Sequence, residues 1–162
     1  MDQTIEQKHL HDLVNDFHIT MLVTHNAKSI HSRPMIIAHL DEAMVAYLIT
    51  DANSVKIDEI NSNPYGLLTF QSSSRYASIS GHVAVLADRT MISLMWKETW
   101  QVWFPKGKTD PNITLLKFTV SEGEYWDNGG VHGLKFAYSA AKAYVSGETP
   151  ELGPDIHAKV SF

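Results

Sequence analysis

Residues 43–50, Ala-Met-Val-Ala-Tyr-Leu-Ile-Thr, are apolar at almost every position. Read as a strand, Met44, Ala46 and Leu48 point one way, while Val45, Tyr47 and Ile49 point the other. A strand that is apolar on both faces must be covered on both. A small barrel covers only the inner face, so the run predicts a second layer outside it. A second subunit is the expected cover.

The flanking pattern is mostly of the same kind. Residues 19–24, 29–40, 65–71, 76–86, 113–125 and 134–146 read as further strands, separated by short polar turns. Thr4 followed by Gln7 resembles a capping box, and Leu10, Leu13, Val14 and Phe17 form one helical stripe, so residues 5–17 read as an amphipathic helix. Residues 54–61 form a short helix stopped by Asn63-Pro64. A third helix starts at Asp88 and runs to about Trp103. The pattern predicts one domain over residues 1–162, with its core at 5–146 and an irregular tail at 147–162. It is mainly β with peripheral helices, an antiparallel barrel of Greek-key type.

Composition narrows the functions. The chain has 162 residues, no cysteine and a formal net charge of −5. Thiol chemistry and disulfides are excluded, and an acidic chain is a poor match for nucleic acid. No apolar run approaches the ~20 residues of a membrane span. The opening Met1-Asp2-Gln3-Thr4-Ile5-Glu6 has neither a basic nor an apolar segment, so a cytoplasmic location is expected.

Only three arginines are present (Arg33, Arg75, Arg89), and two of them lie in suggestive places. A buried strand ends at Thr50, a tight loop follows, Ser54 opens a helix and Lys56 sits in its first turn. Unpaired N–H groups at a helix start, two hydroxyls and an ammonium suit a phosphate, although the same residues would serve an ordinary cap and a solvated lysine. In Ser32-Arg33-Pro34-Met35, an arginine on a largely apolar strand needs an anionic partner, either a phosphate or an acidic side chain. Ser74-Arg75-Tyr76 opens another strand. Together the three segments supply what a mononucleotide phosphate needs.

In order and spacing these segments resemble the flavin-binding split β-barrels related to pyridoxamine 5'-phosphate oxidase, in particular their bacterial general stress protein branch. The resemblance continues through Ile79-Ser80-Gly81, Trp103-Phe104-Pro105-Lys106-Gly107, Asp110-Pro111 and Glu124-Tyr125-Trp126-Asp127. It implies an FMN-binding oxidoreductase concerned with stress, with FAD as an alternative cofactor and an unidentified small-molecule substrate. The cofactor would lie at the seam of a homodimer. It further implies that Arg33, Ser54 and Lys56 hold the phosphate. Pro34, Met35, Thr50 and Arg75 or Tyr76 would line the flavin, and Trp126 would reach it from the second subunit. True pyridoxamine-phosphate oxidases carry an Arg-Leu-His-Asp-Arg type segment after the tryptophan. Here residues 129–135 read Gly-Gly-Val-His-Gly-Leu-Lys, so oxidation of pyridoxamine phosphate is not expected.

Other features carry less. Trp96, Trp100 and Trp103 at helical spacing read as core or dimer packing. Gly129-Gly130 reads as a hairpin turn, not a dinucleotide loop. Of nine histidines, His9, His11 and His18 are expected on the exposed part of a helix, and no metal site is expected. A flavin-binding protein without turnover, or a deazaflavin or haem in the same cleft, are the alternatives. No side chain is singled out as catalytic.

Overall fold

The computed structural model describes residues 3–162. Helix α1 (Ile5–Asn15) precedes strands β1 (Ile19–His25), β2 (Ile30–Leu40) and β3 (Val45–Asp51). Helix α2 (Val55–Ser62) leads into β4 (Tyr65–Gln71) and β5 (Arg75–Leu86). Then come α3 (Arg89–Met95), two short 3-10 segments (Glu98–Val102 and Gly107–Thr109), β6 (Ile113–Asp127), α4 (Gly130–Ser146) and β7 (His157–Ser161).

The strands pair in the order β3-β2-β1-β4-β5-β6-β7, all antiparallel, and a further β3–β6 pairing closes the first six into a barrel. Strand β4 returns through α2 to lie beside β1, which gives the Greek-key order. The fold is therefore the antiparallel Greek-key barrel expected from the alternation, as the resemblance to split barrels implies. Strand β6 forms the seam: Ile113 to Thr119 pairs with β3, Glu122 to Trp126 pairs with β7, and β5 runs along both halves. The register slips between Ser80 and Gly81, where a Cβ on Gly81 would lie 2.1 Å from the Thr119 carbonyl oxygen. Only glycine fits that bulge.

Helix α1 carries the expected capping box. Thr4 Oγ1 accepts from Gln7 N–H at 3.1 Å, and Gln7 Oε1 accepts from Thr4 N–H at 2.8 Å. Its Leu10, Leu13 and Val14 are buried against the barrel interior of Leu22, Leu48, Leu68, Ile79, Leu116 and Phe118. Burial of each such side chain stabilises the fold by roughly 1.5–3 kcal/mol.

A second cluster lies outside the barrel. Ile49 of β3 packs there with Ile92, Trp100, Phe104, Ile113 and Leu115. At Ile49 the outer face of the doubly apolar strand is thus covered by α3 and the following 3-10 segment of the same chain, whereas Val45 and Tyr47 stay half-buried outside that cluster. At Ile49 the cover is therefore intrachain and not the second subunit expected there. The helix from Asp88 also ends early, at Met95. Trp96 adopts an extended backbone (φ −55°, ψ 133°), which lets Trp96 and Trp100 meet edge to face with centroids 5.9 Å apart. Trp100 is buried, whereas Trp103 is exposed and not part of the core.

Two further expectations fail at the C-terminal end. Residues 134–146, read as a strand, belong to α4, and Gly129-Gly130 opens that helix instead of turning a hairpin. Ala137, Ala140, Ala141 and Ala143 give the segment strong helix propensity, and Gly147 ends it in the left-handed conformation (φ 72°). The tail is not wholly irregular, because β7 extends the sheet. Among the described residues, no helix is long and apolar enough to cross a membrane.

Candidate functional site

Strand alternation puts Arg33 on the same face of β2 as the core residue Met35, one step nearer the end of the barrel that α2 approaches. A guanidinium there needs a counter-charge, and α2 provides it. Arg33 Nη2 donates to Glu59 Oε2 at 2.7 Å, and Nη1 donates to Thr24 Oγ1 at 2.5 Å. Thr24 in turn donates to Glu59 Oε2 at 2.5 Å, and His31 Nδ1 lies 2.5 Å from Glu59 Oε1. Only 6% of the Glu59 side chain is exposed. Burial alone would raise its pKa, but hydrogen bonds from Thr24, His31 and Arg33, with the Arg33 charge, hold it down at about 2.

Lys56 stands one turn before Glu59 on the same helix. Its Nζ donates to Thr50 Oγ1 at 3.0 Å, at the end of β3. Burial, followed by the charge of Arg33, lowers the Lys56 pKa, while Asp51 and Glu59 oppose the shift. The Glu59 carboxylate already answers Arg33, so Lys56 is the cation of this group with no carboxylate bonded to it among the described residues. Ser54 is the N-cap of α2, yet its hydroxyl donates to the Asp51 carbonyl at 2.8 Å and caps no helical N–H. The first N–H groups of α2 therefore remain without a side-chain acceptor. Thr50, Ser54 and Lys56 are thus gathered at the start of α2, and Arg33 is held one turn along it by Glu59. Pro34 is exposed, whereas Met35 is buried in the barrel core.

The remaining candidates lie elsewhere in the chain. Tyr76 of β5 faces Trp126 of β6 in the register, and Arg75 faces Asp127. Arg75 Nη1 donates to Asp16 Oδ2 at 2.6 Å, and its guanidinium lies 5.9 Å from the Phe17 ring centroid. Trp126 stacks on His157 of β7, with centroids 5.2 Å apart and planes 19° from parallel. Among the described residues, no hydrogen bond or ion pair joins this group to the α2 group. The nine expected residues therefore form two sets within one chain.

Several polar residues escaped the sequence reading. Glu59 had a local signal: an acid three residues after Lys56 shares its helix face. His9, Asp127 and His132 had none, being far apart in sequence, yet they converge beside Trp126. His11 is buried and His9 half-buried, not on an exposed helix face, and His18 lies beyond the end of α1.

A closed Greek-key barrel with a cationic pair at one helix start defines a split-barrel class. The sequence profile described as "Pyridoxamine 5'-phosphate oxidase like" matches residues 6–151, and the chain belongs to that family. No curated protein matches it. Among solved structures, the chain resembles a candidate general stress protein 26 from Jannaschia sp. CCS1 (26% identity, 96% of this chain and 97% of that one, TM-score 0.73). It also resembles the general stress FMN/FAD binding protein of Xanthomonas citri (25% identity, 78% and 90%, TM-score 0.65). General stress protein 26 of Bacillus anthracis str. Sterne shares the fold (24% identity, 74% and 92%, TM-score 0.66).

Proposed function

We propose that this protein is an FMN-dependent oxidoreductase of the general stress type, working as a homodimer. The observation that carries the reading is the gathering of Arg33, Lys56, Thr50 and the uncapped start of α2. Arg33 is paired with Glu59, so Lys56 and the open N–H groups of α2 supply the charge that a phosphate would meet first. Arg33, Ser54 and Lys56 hold the phosphate, and Pro34, Met35 and Thr50 border the flavin. Arg75 or Tyr76, with Trp126 of the partner subunit, completes the cleft. The flavin supplies the electron-transfer chemistry when bound, and the protein orients it. FAD is the second cofactor to test, since the Xanthomonas citri relative is described as binding either. Pyridoxamine phosphate is not the substrate, because residues 129–135 lack the arginines that would grip it.

The dimer has its own support. Val131, Leu134, Tyr138 and Val145 lie along one face of α4 and are all strongly exposed, while Ala143 is the buried apolar residue of that helix. Such an apolar stripe needs a cover, and a second copy provides one.

Titration of the full chain with FMN, followed by flavin fluorescence, tests the site. In the Arg33→Ala/Lys56→Ala double variant the binding free energy should weaken by about 3–6 kcal/mol, since charge-assisted hydrogen bonds contribute ~1.5–3 kcal/mol each. Unchanged affinity would remove the phosphate assignment. Light scattering should give twice the 18.2 kDa chain mass. Reduction of the bound flavin by NADH or NADPH, with reoxidation by an acceptor, separates an enzyme from a flavin store.

A further inference from the structure

We propose that His9, Asp127 and His132 form a binding site for a divalent transition metal, best matched by Zn2+, that ties α4 to α1 and β6. One ligand atom from each residue lies within 4.8 Å of the other two. His9 Nε2 and Asp127 Oδ2 are already 3.0 Å apart, close to the roughly 3.3 Å that tetrahedral zinc with bonds of about 2.0–2.1 Å imposes between ligand atoms. Two imidazoles and one carboxylate are an established donor set for such ions, with a position left for water.

The surroundings orient these ligands as a metal site requires. Gly129 N–H donates to Asp127 Oδ1 at 2.9 Å, which fixes the carboxylate and leaves Oδ2 for the metal. The His9 ring lies flat on Tyr125, with centroids 4.7 Å apart and planes 10° from parallel. The Tyr125 hydroxyl donates to the Pro154 carbonyl. The rings of His9 and His132 meet edge to face at 5.5 Å. His132 Nδ1 is buried without a hydrogen-bond partner, its nearest carboxylate being Asp155 Oδ2 at 3.6 Å. The protein thus leaves coordinating capacity on His132 unused. A cleft of about 280 Å³, lined by His9, Asp12, Leu13, Asp16, Arg75 and Asp127, gives access from solvent. Arg75, the one cation of this lining, is paired with Asp16.

The function of such a site is mechanical. Helix α4 buries little of itself, and its His132 lies in the first turn. Coordination would bind that turn to the middle of α1 and the end of β6.

Calorimetric titration of chelator-treated full-length protein with ZnCl2 tests the proposal. One Zn2+ should bind per chain, and His132→Ala should weaken binding by at least the roughly 10–100-fold that loss of an outer-shell partner costs. His9→Gln keeps an amide donor to Asp127, so it carries the test if His132→Ala does not fold. His39→Gln, at an exposed strand position, should leave binding unchanged. Zinc should also raise the thermal midpoint of the wild type and not that of His9→Gln. Equal zinc affinity in wild type and His9→Gln, or no zinc binding by the wild type, would overturn the site.

Discussion

The two polar clusters of this molecule are built alike and finished differently. Each joins side chains from three elements. At the α2 end, Glu59 answers Thr24, His31 and Arg33 through both carboxylate oxygens. At the α4 end, Asn128 Oδ1 and His132 Nδ1 are buried with no hydrogen-bond partner among the described residues, and Asp155 Oδ2 stands 3.6 Å from the latter. A satisfied network fixes a unique arrangement, whereas an unsatisfied one retains binding capacity. The difference separates a cluster whose cation is already paired from one that keeps polar atoms without a hydrogen-bond partner.

Deleting one carboxylate from each cluster gives the largest expected effects. Glu59→Ala strips the Arg33 guanidinium of its counter-charge and should cost about 3–5 kcal/mol, as breaking a buried pair does. Asp127→Ala removes an acceptor for Gly129 N–H and a partner for His9, and should cost about 1–3 kcal/mol. Urea unfolding of the two variants measures both. If the order were reversed, the contrast between a completed and an unfinished cluster would fail.

Acid sharpens the same contrast. The folded pKa of Glu59 is about 2, below its ordinary value of 4.5. A depressed carboxylate contributes stability that is fully present above the unfolded pKa and lost as pH falls through the folded one. The wild type should therefore lose stability between about pH 4.5 and pH 2, and Glu59→Gln should show a flatter profile over that window. Parallel acid-unfolding curves would mean that Glu59 is not the group responsible.

How far the sequence could be read follows from the range of its signals. The six barrel strands were legible because period-two alternation is local, and so was the capping box of α1. Helix α4 was misread because its aromatic and β-branched residues suggested a strand. Its alanines and the i, i+3, i+7 spacing of Val131, Leu134 and Tyr138 carried the opposite message. The intrachain cover on Ile49 was not legible because nothing within residues 43–50 tells α3 from a second chain. At the site, Lys56, Thr50 and Ser54 were readable from one loop. The need of Arg33 for an anion was readable, but the Glu59 carboxylate that meets it lies 26 residues away. His9 and Asp127 are 118 residues apart, and no pattern in one sequence links them.

The smallest expected effect on stability comes from Arg75, which lies on the unfinished side. Its ion pair with Asp16 is largely solvated, with the two side chains 33% and 58% exposed, so Arg75→Ala should cost less than about 1 kcal/mol. Contact with Phe17 adds little at 5.9 Å. Flavin affinity is where the substitution becomes informative. If the cleft spans two subunits, Arg75 meets the flavin although it lies apart from Lys56 in its own chain. FMN binding should then weaken by about tenfold or more, the loss of one charge-assisted hydrogen bond. A variant that is stable and weak in FMN binding joins the two clusters into one composite site. A variant unchanged in both properties removes Arg75 from the cofactor site and leaves Tyr76 as the flavin contact of that strand. Chemical denaturation and FMN titration of the same preparation distinguish these outcomes, because the stability measurement is expected not to move.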